Sequence, residues 1–176
     1  MAGYTRTPGQ AVPIQLADTV KLETDGLVIA RSSGKGVLCR NDTGNEQMPW
    51  GIALNSTLSA AHYGYLSEPK VYHAGKDIGE IAVVRNGQVR IALAAASTRN
   101  ADIEIGDWLA VSTTQAQAGK VDRFAYATAA ANEAAVLAEL LKRDRIVGMA
   151  EEKVEDDDAD KTHILASIII RGGIGP

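Results

Sequence analysis

The sequence has 176 residues, 45% of them hydrophobic, and a formal net charge of -4. Its single cysteine excludes an internal disulfide framework and a multi-cysteine metal site, and its mild acidity argues against nucleic-acid binding, which needs a concentrated basic face. No stretch reaches the roughly 20 apolar residues that cross a bilayer, and the first residues lack the apolar segment of a signal peptide. We therefore expect synthesis in the cytoplasm and no membrane partner.

The chain begins with a segment that has almost no apolar pattern. Two glycines and two prolines fall within residues 1–13, which predicts an extended N-terminal arm ahead of a single compact β domain over residues 14–176. Such an arm either frays as a free terminus or becomes ordered against a neighbour by adding a strand to an exposed sheet edge. In the second case we expect Tyr4, Arg6 and Pro8 to contact a partner.

Short β-rich runs and turn residues alternate from Ile14 onward. Residues 14–16 alternate apolar and polar, as a half-buried strand does. Residues 32–35 predict a turn, and Gly34-Lys35-Gly36 is interpreted as part of that hairpin, because a phosphate-binding loop needs the full Walker spacing before a helix. Cys39 is expected to be a small buried strand residue.

The strongest local hairpin signal lies between Ile81 and Ile91. Asn86-Gly87 supplies the two positive-φ positions of a type I′ turn, and β-branched residues flank it. We predict two paired strands on either side of this turn.

One segment departs from the β pattern. Residues 132–143 are rich in Ala, Leu and Glu, and predict a single short helix with Asn132 as its N-cap and Lys142 and Arg143 near its negative end. Four apolar residues are expected to form a stripe that packs on the core: Val136, Leu137, Leu140 and Leu141.

The two halves of the chain show the same succession of short motifs, which predicts two pseudo-repeated β units over about 14–90 and 91–173. The motifs follow one another in the same order in both halves, and the second half differs chiefly by the inserted helix. The matched strings are Ile14-Gln15-Leu16-Ala17 with Ile91-Ala92-Leu93-Ala94, Asp25-Gly26-Leu27-Val28 with Gly106-Asp107-Trp108-Leu109, Gly34-Lys35-Gly36-Val37 with Gly119-Lys120-Val121, and Trp50-Gly51-Ile52-Ala53 with Val147-Gly148-Met149-Ala150. A pair of β units that share a core would also remove some open strand edges.

No catalytic motif stands out in the sequence. His62, His73 and His163 are far apart and lack metal-ligand spacing, and a Gly-x-Ser-x-Gly nucleophile elbow is missing. The acidic run over 155–160 lacks the glycine and final glutamate of an EF-hand loop. We interpret that run as a solvated loop, with a weak calcium site or a contact to a basic partner as the alternatives. The sequence thus predicts no enzyme and no cofactor.

The two tryptophans have two open interpretations. Trp50 and Trp108 each lie next to a glycine-containing turn. Packing in the core is the default for both, and an aromatic anchor at a subunit interface is the alternative.

The succession of motifs resembles the capsid decoration proteins of tailed phages, which are also called cement or head-stabilisation proteins. The residues that carry this resemblance are Ile105-Gly106-Asp107-Trp108-Leu109, Gly119-Lys120-Val121, Ile146-Val147-Gly148-Met149-Ala150 and Ile168-Ile169-Ile170. They reproduce the order of that family: an apolar-Gly-Asp turn into a strand, a Gly-Lys-Val hairpin, an apolar-Gly-apolar-Ala strand and a closing strand.

The residues predict an all-β fold with one short helix, and the resemblance implies a β-barrel or β-tulip body and a structural function. Its expected partners are the major capsid protein, on the outer surface of the shell, and further copies of the same chain in a homotrimer. Such proteins act through surfaces, so the resemblance transfers no catalytic residue. A different head-fibre or tail component, and a β-barrel binder of small ligands, are the alternative functions.

Overall fold

The fold is described from a computed structural model, and the description covers residues 11–17, 20, 22–42, 44, 46–54, 81–99, 101–125, 132–134, 136 and 142–170. The chain is mostly β, with 44% strand and 11% helical residues, and its sheet curls as half of a barrel. The predicted all-β class is confirmed.

The described part of the chain contains ten strands. They are β1 (Ala11–Ile14), β2 (Val28–Ser32), β3 (Lys35–Leu38), β4 (Pro49–Ala53), β5 (Ile81–Val84), β6 (Asn86–Ala92), β7 (Trp108–Val111), β8 (Val121–Arg123), β9 (Ile146–Ala150) and β10 (His163–Ile169). Short 3₁₀ helices lie at Ala96–Thr98, Gln115–Gln117 and Lys142–Arg145.

The strands form two five-stranded antiparallel sheets with the same topology. The first sheet has the order β1-β5-β4-β2-β3 and the second has the order β6-β10-β9-β7-β8. Adding five to each strand number of the first order gives the second order. The predicted pair of related β units is therefore confirmed at the level of strand connection.

The irregularities of the first sheet recur in the second. β2 pairs with β4 through a register shift between Ile29 and Ala30, and β7 pairs with β9 through a shift between Leu109 and Ala110. A β-bulge bends its strand and increases the local twist, so its position is a specific feature of a sheet. The shared shift aligns Ile29 with Leu109.

Isolated bridges and hydrogen bonds outside the ladders repeat as well. Parallel bridges join Leu16 to Gly36 in the first half and Leu93 to Val121 in the second. The Gly26 amide donates to the Ala53 carbonyl (2.8 Å), and the Gly106 amide donates to the Ala150 carbonyl (2.9 Å). The register thereby aligns Ile14 with Ile91, Ile29 with Leu109, Gly36 with Val121, Gly51 with Gly148 and Ile81 with Ile164.

Two details of the predicted repeat need correction. The register aligns Gly26 with Gly106 and Val28 with Trp108, one residue away from the predicted match. The second half also begins at Asn86 and not at Ile91, because β6 already belongs to the second sheet.

The predicted hairpin at Asn86-Gly87 is wrong. β5 pairs with β1 and β4, whereas β6 pairs with β10, so the chain passes from one sheet to the other at Arg85. Gly87 has φ 95° and pairs with Ile168, but Asn86 is not among the residues with positive φ. A type I′ turn needs positive φ at both central residues, and the partners of β5 already occupy both of its sides.

The predicted turn between β2 and β3 is confirmed. Ser33 (φ 48°) and Gly34 (φ 79°) form a two-residue loop between Ser32 and Lys35, which are paired. Positive φ at both positions matches the primed turns that suit the right-handed twist of a hairpin.

The N-terminal boundary differs from the prediction. β1 begins at Ala11 and pairs along β5, so the last part of the predicted arm, from Ala11 to Pro13, belongs to a strand. Pro13 is tolerated there because β1 is an edge strand of its sheet. The remainder of the arm lies outside the described residues.

The predicted helix over 132–143 lies only partly within the described residues. Glu133, Ala134 and Val136 are helical, and the Val136 amide donates to the Asn132 carbonyl (3.1 Å). Val136 is 47% exposed, so its predicted place in a core-facing stripe is wrong. The other three residues of the stripe lie outside the description.

One buried cluster joins the two sheets. It contains residues of the first half, such as Val28 and Ile52, together with residues of the second half, such as Val89, Ile91 and Leu109. A second cluster belongs mainly to the first half and includes Ala92. The two repeated units therefore share apolar core as well as topology.

Candidate interaction surfaces

The contact between the two halves depends on a glycine of the second half. The Val28 amide donates to the Gly119 carbonyl (2.7 Å), and the Gly119 amide donates to the Cys39 carbonyl (2.8 Å). Gly119 thus lies between two residues that adjoin the β2–β3 ladder. It has φ 77°, and a Cβ there would lie 3.1 Å from Leu38 Cδ2, so this close approach favours glycine.

A second close approach occurs at Gly26. The Ala92 amide donates to the Gly26 carbonyl (2.9 Å). Gly26 has φ 75°, and a Cβ there would lie 2.7 Å from the Arg90 carbonyl oxygen. These neighbouring atoms belong to the backbone of β6, so they cannot move aside as a flexible side chain would. The close approach of the end of β6 to the first half therefore requires glycine at position 26.

A cleft of about 890 Å³ lies where the two halves meet. His163 lies on its wall, and its Nε2 is 3.1 Å from Asp25 Oδ1 and 3.3 Å from Thr24 Oγ1. The basic side chains of Arg99, Lys120 and Lys161 also line the cleft. The cleft therefore combines an apolar lining with several polar and basic groups.

Arg99 is buried beside this cleft and binds four backbone carbonyls. Its Nε donates to Ala94 (3.0 Å), one terminal nitrogen donates to Glu155 (2.5 Å), and the other donates to Asp158 (2.6 Å) and Lys161 (3.0 Å). Arg99 therefore fixes the acidic segment between β9 and β10. The carboxylates of Glu155 and Asp158 do not provide these bonds, because the guanidinium binds only main-chain oxygens there.

The acidic run has the solvated surroundings that the sequence predicts. Its carboxylate residues are exposed or half-buried. Among the described residues, three or more His, Cys, Asp or Glu side chains do not come together in a group that could hold a metal ion. His62 and His73 lie outside the description.

An apolar surface remains open on the second half. Ile105 is 69% exposed and Trp108 is 42% exposed. Beside them, Arg123 Nε lies 3.0 Å from Asp107 Oδ2. Trp and Arg are two residue types that are enriched at protein interfaces.

Trp50 has a different environment from Trp108. It is half-buried in β4 of the first sheet and packs against the core. The guanidinium carbons of Arg31 and Arg85 lie 5.7 Å and 5.4 Å from the centre of its ring, which is within the range of cation–π attraction. Trp50 thus contributes to packing, which was the default interpretation, and its ring also lies close to two guanidinium groups of the same chain.

The structure describes two of the five predicted contact residues and separates them. Trp50 and Trp108 belong to different sheets, and of these two only Trp108 is exposed. Tyr4, Arg6 and Pro8 lie outside the described residues.

Sequence reasoning missed Ile105 and Arg99. Ile105 stands in the apolar-Gly-Asp string, where its apolar side chain beside a turn was a detectable signal. Arg99 had no such signal, because three of its acceptor residues lie 56 to 62 positions away in the sequence.

Cys39 is buried, as the sequence predicts, but it lies directly after β3 and not within a strand. Its side chain is fully covered, and burial raises the pKa of the thiol to about 12. A thiol reacts as the thiolate, so this environment makes Cys39 inert near neutral pH.

In the part of the chain that is described, we find no helix with the length and apolarity needed to span a membrane. Comparison with known proteins identifies no family: no family model matches the chain, and no curated protein is significantly similar to it.

Proposed function

We propose that the protein is a structural component of a virus particle that binds the outer surface of a tailed-phage capsid and stabilises the shell. Its partners in this proposal are the major capsid protein and further copies of itself in a homotrimer. The observation that carries the proposal is that the motifs resembling decoration proteins lie in consecutive elements of one β unit, from the turn before β7 to the end of β10, and that this unit occurs twice.

The chemistry of the surface supports a binding function. The described residues present Ile105 and Trp108 as exposed apolar groups and Trp50 as a ring flanked by Arg31 and Arg85. Trp and Arg dominate the energetics of many protein interfaces. A capsid offers many copies of one surface, so an oligomer that engages several of them multiplies weak contacts into firm attachment.

Co-sedimentation with capsids tests the proposal. The purified protein is mixed with shells built from the major capsid protein encoded in the same genome, and a sample without shells is the matched comparison. We expect saturable co-sedimentation with the shells and a higher temperature of shell disruption. Protein that stays in the supernatant in the presence of shells would contradict a decorating function.

The arm provides a more specific test. Removal of residues 2–10 leaves all ten described strands intact, so we expect an unchanged far-UV circular dichroism spectrum. We also expect weaker binding to the shells, because an extended arm contributes by adding a strand to a neighbour's sheet edge. Equal binding by the full and shortened chains would remove the arm from the proposal.

The cleft between the halves favours a second candidate function, the binding of a small ligand. Its volume of about 890 Å³ lies in the range of ligand sites, and Arg99, Lys120, Lys161 and His163 give it polar groups. A thermal-shift screen with metals, nucleotides and sugars tests this alternative. A ligand at 100 times its Kd stabilises a protein by about 2.7 kcal/mol, so a saturable rise in Tm would support it and a flat screen would reject it.

A further inference from the structure

The contact between the two halves is one-sided. The first half contributes what we term the covered edge, Gly26 to Val28, and the second half contributes what we term the covering edge, Ala92 and Gly119. Because both halves have the same fold, each must also possess the edge that it does not use in this contact. The register identifies the residues of those unused edges.

The second half has an unused covered edge. Gly26 and Val28 correspond in the register to Gly106 and Trp108. Backbone atoms lie within 3 Å of a Cβ placed on Gly26, whereas nothing lies within 4 Å of a Cβ placed on Gly106. Val28 is fully buried, whereas Trp108 and the neighbouring Ile105 are exposed.

The first half has an unused covering edge. Ala92 and Gly119 correspond in the register to Gln15 and Gly34. Gly34 and Gly119 have nearly the same φ, 79° and 77°. A Cβ on Gly119 would contact Leu38 and Leu27, but nothing lies within 4 Å of a Cβ on Gly34, and Gln15 is exposed.

We infer that a second copy of this chain binds the unused covered edge at Gly106 and Trp108 with its unused covering edge at Gln15 and Gly34. The contact repeats between copies the arrangement that already joins the halves within one copy. The Ser33-Gly34 turn of the second copy occupies the position beside Trp108 that Gly119 occupies beside Val28. The inference rests on the internal repeat and is independent of binding to a capsid.

The side chains fit a contact that forms between separately folded molecules. Leu27 and Leu38, whose methyl carbons would lie 3.3 Å and 3.1 Å from a Cβ on Gly119, correspond to Asp107 and Arg123. These two form an ion pair at 3.0 Å, which keeps the edge compatible with water before assembly. Trp108 then supplies the apolar area that assembly buries.

Such a contact is heterologous, because it joins two different surfaces of identical molecules. Heterologous contacts build closed rings or open filaments, and each internal molecule uses both of its edges. A ring of this kind presents twice as many similar β units as it has chains, since every chain contributes two.

Three glycines provide a matched test. Gly34 and Gly106 belong to the two unused edges, and Gly44 belongs to neither. All three have positive φ (79°, 94° and 80°) and nothing within 4 Å of a Cβ. Asn tolerates positive φ better than other residues with a Cβ, so Gly34→Asn, Gly106→Asn and Gly44→Asn should all fold, with similar urea midpoints.

Sedimentation velocity of the free protein then reads the assembly state. We expect wild type and Gly44→Asn to form species larger than the monomer of 18.6 kDa, and the Gly34→Asn and Gly106→Asn variants to sediment as monomers. In an equimolar mixture of these two variants, one intact edge of each kind remains. The mixture should therefore form dimers of twice the monomer mass and nothing larger.

Several results would overturn the inference. Wild-type protein that remains monomeric up to about 1 mM would show that the contact is worth less than roughly 4 kcal/mol. Unchanged assembly in the Gly34→Asn or Gly106→Asn variant, or a mixture that stays monomeric, would place any self-contact elsewhere. None of these outcomes depends on capsid binding, which is measured separately with shells.

Discussion

Replacement of Arg99 by Met tests how the acidic segment between β9 and β10 is held. Arg99 is 9% exposed and donates to four backbone carbonyls, of Ala94, Glu155, Asp158 and Lys161. A net contribution of roughly 1.5–3 kcal/mol for each hydrogen bond to a charged group would give about 6–12 kcal/mol. That sum rivals the whole stability of a typical domain, so it overstates the effect.

The expected loss is smaller because most of the acceptors can return to water. Glu155 is exposed, and Asp158 and Lys161 are half-buried, whereas Ala94 is fully buried. Only the Ala94 carbonyl is left buried without its donor, at a cost of about 1–3 kcal/mol. Adding the loosened contacts of the segment, we expect Arg99→Met to lower the free energy of unfolding by about 2–4 kcal/mol.

Urea denaturation followed by circular dichroism measures this loss, and amide exchange shows whether protection falls over residues 151–162. Arg90→Met is the matched control: Arg90 forms a surface ion pair with Glu152 at 3.3 Å, and such pairs contribute about 0–1 kcal/mol. If Arg99→Met costs no more than Arg90→Met, the guanidinium does not hold the segment and the reasoning is wrong.

Three further predictions compare equivalent or buried positions. Gly148→Ala should lower the free energy of unfolding by about 3 kcal/mol or more, since its Cβ would collide with the backbone oxygen of Ser167. The equivalent Gly51→Ala should lower it by about 1 kcal/mol, because its Cβ contacts are 3.1 Å and longer. Equal losses in urea denaturation would contradict the packing argument. Gly119→Ala should destabilise more than Gly34→Ala, because both suffer roughly 1–2 kcal/mol of left-handed strain but only the first also disturbs the contact between halves; a common urea midpoint would argue against that contact. Burial raises the pKa of Cys39 from 9.0 to about 12, so the thiol ionises at lower pH in the unfolded chain than in the folded one. The free energy of unfolding should therefore fall as pH rises from about 9 towards 12. A Cys39→Ala variant with an equally steep decline would refute this cause.

Those features that repeat within the sequence were predictable. Ile14 and Ile91, and Gly51 and Gly148, occupy equivalent register positions, so matching strings marked real structural equivalence. The Ser32–Lys35 turn was also found, because its residues alone determine a two-residue loop. Periodicity and turn chemistry thus sufficed for the fold class and the repeat.

The pairing partners of strands were not predictable from the same local signals. Asn86-Gly87 has the composition of a hairpin turn, yet β6 pairs with β10, the last strand of the described chain. The choice follows from the shared core, which a local turn motif does not encode. Arg99 was missed for the same reason, since the carbonyls of Asp158 and Lys161 reach it only through tertiary structure.

The passage between sheets at Arg85 also affects how the chain emerges from the ribosome. All five strands of the first sheet precede this residue, so that sheet can form before the second half has been synthesised. The apolar side chains of Leu27 and Leu38 then lack their neighbour Gly119 until residue 119 has been synthesised. During this interval the nascent chain exposes an apolar surface. Partly folded chains with exposed apolar surface are prone to aggregate. Chaperone demand during translation is therefore expected to be greatest between residues 85 and 119.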